Sequence, residues 1–184
     1  RLDDMLAVKD WKGVTLSDAL TETLRASPAP MRDGKPGFAL DTYVEAHIEQ
    51  GPRLENAGKT IGVVTGIQGS RRYIVETDGE EAHAGTTPRA ARKDAFAAAT
   101  RIAAAMYEAT TDADDTLRFT IGRVEVQPGS PNTVPGKATF TIDMRHPQDA
   151  VLESHEKKLR DIVAGRAAPC AARIERVTAV APTD

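Results

Sequence analysis

The sequence contains a single cysteine, Cys170, among 184 residues. One cysteine cannot form a disulfide within the chain, and a protein without disulfides fits a reducing compartment, so we expect a cytoplasmic protein. Cys170 follows Pro169 and precedes an apolar-alternating stretch, and no second cysteine lies near it to form a CxxC pair. We therefore predict a buried thiol with a packing role instead of a reactive one.

Long apolar runs and an excess of basic residues are also missing. No stretch approaches the roughly 20 apolar residues that a membrane-spanning helix needs, and the start shows no signal-peptide pattern. The net charge is −3, whereas general nucleic-acid binding depends on clustered lysine and arginine. We therefore expect neither a membrane nor a nucleic acid as partner. The composition, 40% hydrophobic and 28% charged, is typical of soluble globular proteins.

The first third of the chain carries one helix signal and two strand signals. The capping box Thr15-Leu16-Ser17-Asp18 predicts the start of a short amphipathic helix, and the Pro- and Gly-rich stretch 27–37 predicts a loop after it. Period-two alternation predicts strands at 41–49 and 59–67. Because one helix and two strands cannot close a core unaided, we predict that residues 1–67 belong to a larger domain.

Six regular elements follow, in the order β-α-β-β-α-β. The predicted strands are 72–78, 117–126, 137–145 and 173–180, and the predicted helices are 88–109 and 148–164. This order is the split βαβ, or ferredoxin-like, arrangement, in which two helices cover one face of a four-stranded antiparallel sheet and leave the other face open. The predicted fold class is therefore α+β. The acidic stretch 110–115 is predicted to be an exposed connection.

Alternation in the third of these strands separates its two faces. Phe140, Ile142 and Met144 should meet the helices, so Arg145 should stand on the open face or at its edge. There its planar fork is available to a carboxylate ligand. The alternative is a surface arginine paired with Asp143 or with a neighbouring strand.

Two of the four histidines, His146 and His155, are predicted to pack and not to react. His146 lies beside Pro147 at the start of the second helix of this domain. His155 lies on that helix's apolar stripe, which favours a core or boundary position. We assign chemistry to neither of them.

A polar turn at 79–94 presents His83. Thr86 or Thr87 is predicted to cap a helix that has Pro88 in its first turn. An imidazole on such a turn suits chemistry near neutral pH, although a loop histidine is also commonly solvated or structural. Farther along, the proline-flanked loop 127–136 holds Asn132, whose amide could contact a substrate or close an Asx-turn.

Four segments together resemble a known family. They are Glu45–Pro52 (EAHIEQGP), Gly79–Pro88 (GEEAHAGTTP) with Arg92 and Asp94, Pro131–Gly136 (PNTVPG) and Phe140–His146 (FTIDMRH). From about residue 12 onward the chain is similar to the amidase/hydantoinase/carbamoylase group of M20 metallopeptidase-like hydrolases. That group includes N-carbamoyl-L-amino acid hydrolases, allantoate amidohydrolases and β-ureidopropionases.

The resemblance implies a two-domain organisation. In the family, an α/β catalytic domain with a two-metal site is interrupted by a ferredoxin-like domain that serves as lid and dimerisation surface. Residues 1–67 would then be part of the catalytic domain, and residues 68–184 the lid of a homodimer. The implied reaction is hydrolysis of linear amide or carbamoyl C–N bonds in N-carbamoyl-L-amino acids or ureido compounds that carry a carboxylate. The implied cofactors are two divalent ions: zinc, or manganese, cobalt or nickel.

Five residues of this chain match functional positions of the family. His47 matches a metal ligand and Gln50 a substrate contact. His83 matches the lid histidine that polarises the scissile carbonyl and stabilises its oxyanion, and Asn132 and Arg145 match groups that hold the substrate carboxylate and neighbouring polar atoms. Imidazole is a good zinc ligand, and a donor aimed at a developing oxyanion lowers the barrier.

Several features of the family have no match in this chain. The other metal ligands and the catalytic pair of glutamates are missing, and the pair Glu80-Glu81 does not occupy their position. Arg89 stands where the family usually has methionine. We therefore expect the chain by itself neither to hold a binuclear site nor to turn over substrate. The alternative is a non-catalytic ferredoxin-like dimerisation or ligand-binding module. An RNA-recognition domain is disfavoured because the chain lacks an aromatic RNP-type run and a basic surface.

Overall fold

The computed structural model describes residues 2–10, 12–27, 39–111 and 116–183. The chain divides into two compact units, Arg1–Pro52 and Arg53–Asp184. The domain boundary predicted between residues 67 and 68 stays a prediction. Within the described ranges, no helix has the length and apolar character needed to cross a membrane.

The first unit contains helices α1 (Leu2–Leu6) and α2 (Leu16–Ala26). The predicted capping box is confirmed: the Asp18 backbone N–H donates to Thr15 Oγ1 at 3.0 Å, and the Thr15 hydroxyl donates to Asp18 Oδ2 at 2.6 Å. The strand predicted at 41–49 is wrong, since residues 42–50 form no ladder with any described residue. Alternation creates a suitable face, but a strand also needs a neighbour for its N–H and C=O groups. Most of the loop predicted at 27–37 lies outside the described residues.

The second unit contains the ferredoxin-like domain. Its elements are α3 (Arg53–Asn56), β1 (Gly69–Asp78), β2 (Ala82–His83), α4 (Ala95–Ala109), β3 (Arg118–Gln127), β4 (Thr133–Val134), β5 (Lys137–His146), α5 (Asp149–Arg166) and β6 (Ala171–Val180). The main sheet has the antiparallel order β3-β5-β1-β6, which confirms the predicted α+β topology. The strand predicted at 59–67 is wrong, because only Ile67 makes a bridge, to Thr183. Of the predicted connection 110–115, Thr110 is buried and residues 112–115 lie outside the described ranges.

The core lies between the sheet and the two long helices. Alternate residues of β1 and β5 enter it and meet apolar side chains of α4 and α5. The largest buried members are Tyr73, Phe140, Ile102, Met106, Ile142, Met144, Leu152 and Leu159. Burying one such side chain contributes about 1.5–3 kcal/mol. The predicted direction of Phe140, Ile142 and Met144 is confirmed. Cys170 is also buried, and its burial raises the pKa of the thiol.

Helix α4 begins later than predicted. Asp94 caps it by accepting the Ala97 N–H at 2.9 Å, so the predicted cap at Thr86 or Thr87 is wrong. Pro88 has extended backbone angles (φ −57°, ψ 145°) and precedes a separate 3-10 turn, Arg89–Ala91. The late start of α4 has a tertiary cause. The Arg92 side chain donates to the Ala84 and Thr87 carbonyls and so holds residues 84–92 in a turn that does not continue into the helix.

His146 and His155 occupy packing positions, as predicted. His146 is buried before α5, where its Nδ1 accepts the Gln148 N–H at 2.9 Å. His155 is half-buried on α5, with its Nδ1 2.8 Å from the Val151 carbonyl oxygen.

A buried ionic cluster ties β1 to α5. Arg71, only 5% exposed, donates to Glu156 at 3.1 Å and to Asp149 at 2.9 Å. Glu156 also accepts the Tyr73 hydroxyl at 3.0 Å, and Arg160 and Arg176 donate to it as well. Burial acts to raise the Glu156 pKa, but these hydrogen bonds and the nearby cationic charge outweigh it and hold the pKa below its ordinary value.

We predict that Glu156→Gln lowers the free energy of unfolding at pH 7 by about 2 kcal/mol, because several charge-assisted hydrogen bonds end on this carboxylate. A depressed folded-state pKa means that the stabilisation is complete above the ordinary glutamate pKa and is lost as pH falls through the folded value. The gap between the two proteins should therefore narrow below about pH 4.5. Urea unfolding at pH 7 and in acid measures it. Glu175→Gln, on exposed β6, is the control, and an equal loss there would contradict the assignment.

Candidate functional site

A short two-stranded ribbon joins the polar turn to the proline-flanked loop. Strands β2 and β4 pair antiparallel, with Ala82 opposite Val134 and His83 opposite Thr133. The Ala84 N–H also donates to the Asn132 carbonyl at 2.9 Å. The backbone therefore brings two predicted site residues close together although they lie far apart in sequence: His83 on β2 and Asn132 directly before β4.

The ring of His83 is oriented by its own turn. The backbone N–H groups of Gly85 and Thr86 both donate to Nδ1, at 3.1 and 3.2 Å. A nitrogen that accepts two hydrogen bonds carries no proton, so the neutral ring carries its proton on Nε2. Because His83 is exposed, this Nε2–H is a donor available to a ligand.

Arg92 holds the turn in place. Its Nε donates to the Thr87 carbonyl at 2.9 Å and its Nη2 to the Ala84 carbonyl at 2.6 Å. Charge-assisted bonds from one planar group fix both carbonyls at once. The motif included Arg92 without indicating this role, which depends on the three-dimensional course of the turn.

Two glycines allow the turn, the proline loop and the start of α4 to approach each other. The Gly79 N–H donates to the Gly136 carbonyl at 2.8 Å. A Cβ on Gly79 would lie 2.0 Å from the Lys93 carbonyl oxygen, and one on Gly136 would lie 2.7 Å from Glu81 Cγ. Side chains at these positions would push the three segments apart.

Asn132 has its side-chain oxygen occupied. The Ser130 hydroxyl donates to Oδ1 at 2.6 Å. An amide whose oxygen is engaged offers its NH₂ group as the donor. The exposed Asn132 side chain is thus suited to a ligand oxygen.

Arg145 lies on the open face of the sheet, paired with Asp143. Its Nε donates to Oδ1 at 2.7 Å and its Nη2 to Oδ2 at 3.1 Å. These hydrogen bonds, chiefly, hold the Asp143 pKa below its usual range, with a further contribution from Arg72. The observed geometry is the surface pairing that the sequence left open. A carboxylate ligand would have to displace Asp143 from the arginine fork.

His47 and Gln50 belong to the first unit. His47 Nδ1 lies 2.7 Å from Glu45 Oε1, and the Tyr43 hydroxyl donates to the other Glu45 oxygen at 2.9 Å. These bonds, that from His47 foremost, lower the Glu45 pKa. A carboxylate on Nδ1 is the usual support of a metal-binding imidazole and leaves Nε2 for the ion. Gln50 has a left-handed backbone (φ 52°), uncommon for a residue other than glycine.

The described residues do not form a complete metal site. Among them, no group of three or more His, Cys, Asp or Glu side chains could hold an ion. His47 fits as one ligand, and its carboxylate partner was detectable in the sequence because residues two apart share a face in extended chain.

Taken together, the sheet, the two helices and the turn-bearing ribbon define a ferredoxin-like lid type of domain. The chain belongs to the peptidase dimerisation domain family of the M20 group, whose model matches residues 65–169.

Curated relatives include amidohydrolases. The chain is 43% identical over 162 residues to the allantoate amidohydrolase of Escherichia coli, a match covering 86% of this chain and 38% of the relative. It is 36% identical over 143 residues to the N-carbamoyl-L-amino acid amidohydrolase of Geobacillus stearothermophilus, covering 77% of this chain and 34% of that protein. The chain therefore spans well under half the length of these relatives.

Comparison with solved structures leads to the same family. A hydantoinase/carbamoylase family amidase from Burkholderia vietnamiensis matches with a TM-score of 0.78 and 39% identity, covering 98% of this chain and 43% of that one. The family resemblance derived from the four sequence segments is thus confirmed. The roles of the individual site residues stay predictions.

We predict that Gly79→Ala lowers the free energy of unfolding by about 2–4 kcal/mol, because the added methyl overlaps the Lys93 carbonyl and backbone must shift. Gly122→Ala is the matched control, since a Cβ there meets nothing within 4 Å, and we expect a change within about 0.5 kcal/mol. Urea unfolding measures both. Equal effects would contradict the close approach at Gly79.

Proposed function

We propose that this chain is the lid and dimerisation part, with a segment of the catalytic domain, of a metal-dependent hydrolase of linear amide or carbamoyl C–N bonds. The substrate class is N-carbamoyl-L-amino acids or ureido compounds with a carboxylate. The amidohydrolase names of the relatives support the reaction class, and the geometry around His83 carries the proposal.

His83 is proposed as the catalytic donor. Attack on a carbamoyl or amide carbon places negative charge on the carbonyl oxygen, and a preorganised N–H at that oxygen lowers the barrier. The Gly85 and Thr86 amides fix Nδ1 as acceptor, so Nε2–H is the donor before substrate arrives. No proton needs to move within the ring for this role.

Asn132, Arg145 and Gln50 are proposed as substrate contacts. Asn132 offers its amide NH₂, and Arg145 offers a fork that matches a carboxylate. Since Asp143 occupies that fork at 2.7 and 3.1 Å, the substrate carboxylate would exchange with a carboxylate of the protein. This exchange favours ligands that carry a carboxylate over neutral amides.

His47 is proposed as one ligand of a two-ion site of zinc, or of manganese, cobalt or nickel. Divalent ions in such sites supply a deprotonated water and polarise a carbonyl. Within this chain, Glu45 orients the His47 ring through Nδ1 at 2.7 Å. Further metal ligands would have to come from outside the described residues of this chain.

The proposed dimer surface lies on α4 and the edge strand β3. An apolar cleft of about 410 Å³ runs between them, with Phe96, Ala103, Tyr107, Ile121 and Val124 in its lining. Phe96, Tyr107 and Val124 are each more than 40% exposed. A second copy is the expected occupant because the chain matches a dimerisation domain and because an edge strand offers unpaired backbone groups to another strand.

We predict that Val124→Lys converts a dimer into a monomer, because a lysine on the edge strand opposes both strand pairing and apolar burial. Val177→Lys on the opposite edge strand β6 is a closely matched control, since both valines are 53% exposed. Sedimentation equilibrium of the chain measures the state. Dissociation by Val177→Lys alone would place the interface on β6 and contradict the proposal.

A non-catalytic dimerisation or ligand-binding module is the alternative. The incomplete set of metal ligands among the described residues favours it. The two functions differ in whether this chain, inside a complete catalytic framework, supports hydrolysis.

We predict that the chain supports allantoate hydrolysis when it replaces the matched segment of the Escherichia coli allantoate amidohydrolase. In this chimera, His83→Asn should lower kcat/KM by about 10²–10³-fold, as for loss of an oxyanion donor. His83→Gln should retain more activity, because its longer amide places an N–H nearer to the Nε2 position. Steady-state kinetics with zinc supplied measures both.

His155→Gln is the control and should match the parent chimera. The chain alone should show neither hydrolysis nor two bound ions. Activity that is unchanged in both His83 variants would eliminate the donor role. A folded, metal-loaded chimera without hydrolysis would favour the non-catalytic module.

A further inference from the structure

A second cleft, of about 590 Å³, lies beside the start of α4 and is lined mainly by charged groups. Arg89 and Arg92 come from the turn, Asp94 and Arg101 from α4, and Pro169 from the segment before β6. We name it the arginine cleft. The lining of the arginine cleft includes neither His83 nor Asn132 nor Arg145, so none of these three candidate site residues contributes to it.

Three arginines and one aspartate are the charged residues that line this cleft. Arg92 donates to the Thr87 and Ala84 carbonyls, and Arg101 donates to the Ala168 carbonyl at 2.8 Å. The Arg89 guanidinium has no hydrogen-bond or ion-pair partner among the described residues, and the Arg89 carbonyl accepts the Arg92 N–H at 3.3 Å. Asp94 Oδ1 accepts the Ala97 N–H of the helix cap. The cleft therefore has an excess of two positive charges.

This arrangement differs from that of most other arginines in the second unit. Seven other arginines there form ion pairs with carboxylates: Arg71, Arg72, Arg123, Arg145, Arg160, Arg173 and Arg176. None of the cleft arginines has such a pair among the described residues. Like charges gathered in one concave site repel each other, and an anion that binds between them relieves the repulsion.

The helix N-terminus contributes few free donors to the cleft. Two of the three first-turn amides are engaged, since Ala95 N–H donates to the Pro135 carbonyl at 3.0 Å and Ala97 N–H to Asp94 at 2.9 Å. Ala98 N–H donates to the Asp94 carbonyl at 3.1 Å. A ligand would therefore be held by the guanidinium side chains.

We propose that the arginine cleft binds a doubly charged oxyanion of the phosphate type. Arginine forks match phosphate oxygens in geometry as well as in charge. A dianion balances the excess of two positive charges, and a tetrahedral group presents oxygens to three arginines at once. The source is either free phosphate or a phosphate monoester.

Binding there would act on the His83 turn through Arg92. A guanidinium has five N–H donors, and Arg92 uses its Nε–H and an Nη2–H to hold the Thr87 and Ala84 carbonyls. The remaining donors can bind an anion without releasing the turn. An anion in the arginine cleft would then fix Arg92, and with it the loop that orients His83. Anion binding in the arginine cleft would therefore regulate the orientation of His83.

The test is calorimetric titration of the chain with inorganic phosphate at constant ionic strength. We expect saturable 1:1 binding to the unmodified chain. Arg89→Gln and Arg101→Gln should each weaken it about tenfold, the loss expected for one charge-assisted contact. Arg123→Gln, which removes the same charge from β3, is the matched control and should change the affinity less than about twofold. No saturable binding, or equal weakening in all three variants, would overturn the site.

Two further arms identify the ligand and the coupling. Methyl phosphate that binds at least as tightly as phosphate indicates a monoester, and weaker binding indicates the free ion. Succinate that binds more tightly than both would overturn the phosphate assignment. Phosphate should also shift the His83 ring signals in NMR spectra of the Arg123→Gln chain, with a much smaller shift in Arg101→Gln at the same concentration. Equal shifts in both would overturn the coupling through Arg92.

Discussion

Strand β1 is paired along both edges, with β5 on one side and β6 on the other, and the rest of the second unit depends on this double pairing. Because neither edge is free, the inward side chains of β1 have fixed positions against α4 and α5. The chain leaves β1 at Gly79, so the polar turn starts from a rigid point. The ribbon, the proline loop and the cap of α4 then converge where Gly79 and Gly136 allow backbone to approach backbone.

In three polar side chains of the candidate site, one polar atom is hydrogen-bonded within the protein and a second polar atom stays available. The turn amides take one nitrogen of His83, the Ser130 hydroxyl takes the oxygen of Asn132, and Glu45 takes one nitrogen of His47. In each case the engaged atom fixes the orientation of the side chain, and the other polar atom stays available to a ligand. Arg145 differs, because Asp143 engages its fork directly. If Arg145 binds a substrate carboxylate as proposed, that carboxylate must compete with Asp143, whereas the Nε2–H of His83 needs no such exchange.

Sequence patterns predicted the sheet and its faces well, since alternation in β5 reports burial on each side. They failed where tertiary contacts decide. The start of α4 moved to Ala95 because Asp94 supplies the cap and Arg92 holds the preceding turn, and neither effect has a local periodicity. The strand expected at 41–49 has the right alternation but no described neighbour to pair with. Within the site, family motifs located His83 and Asn132, but their meeting depends on a two-residue ribbon that is too short to produce a pattern. The contributions of Gly79 and Gly136 are visible only from the distances between segments.

The burial of Cys170 has a practical consequence. It is the only thiol in the chain, it lies in the corner between α5 and β6, and both its 8% exposure and its raised pKa slow alkylation, because the thiolate is the reactive form. Opening of this corner would therefore speed alkylation. The alkylation rate of Cys170 thus measures local unfolding of the α5–β6 corner without any introduced label.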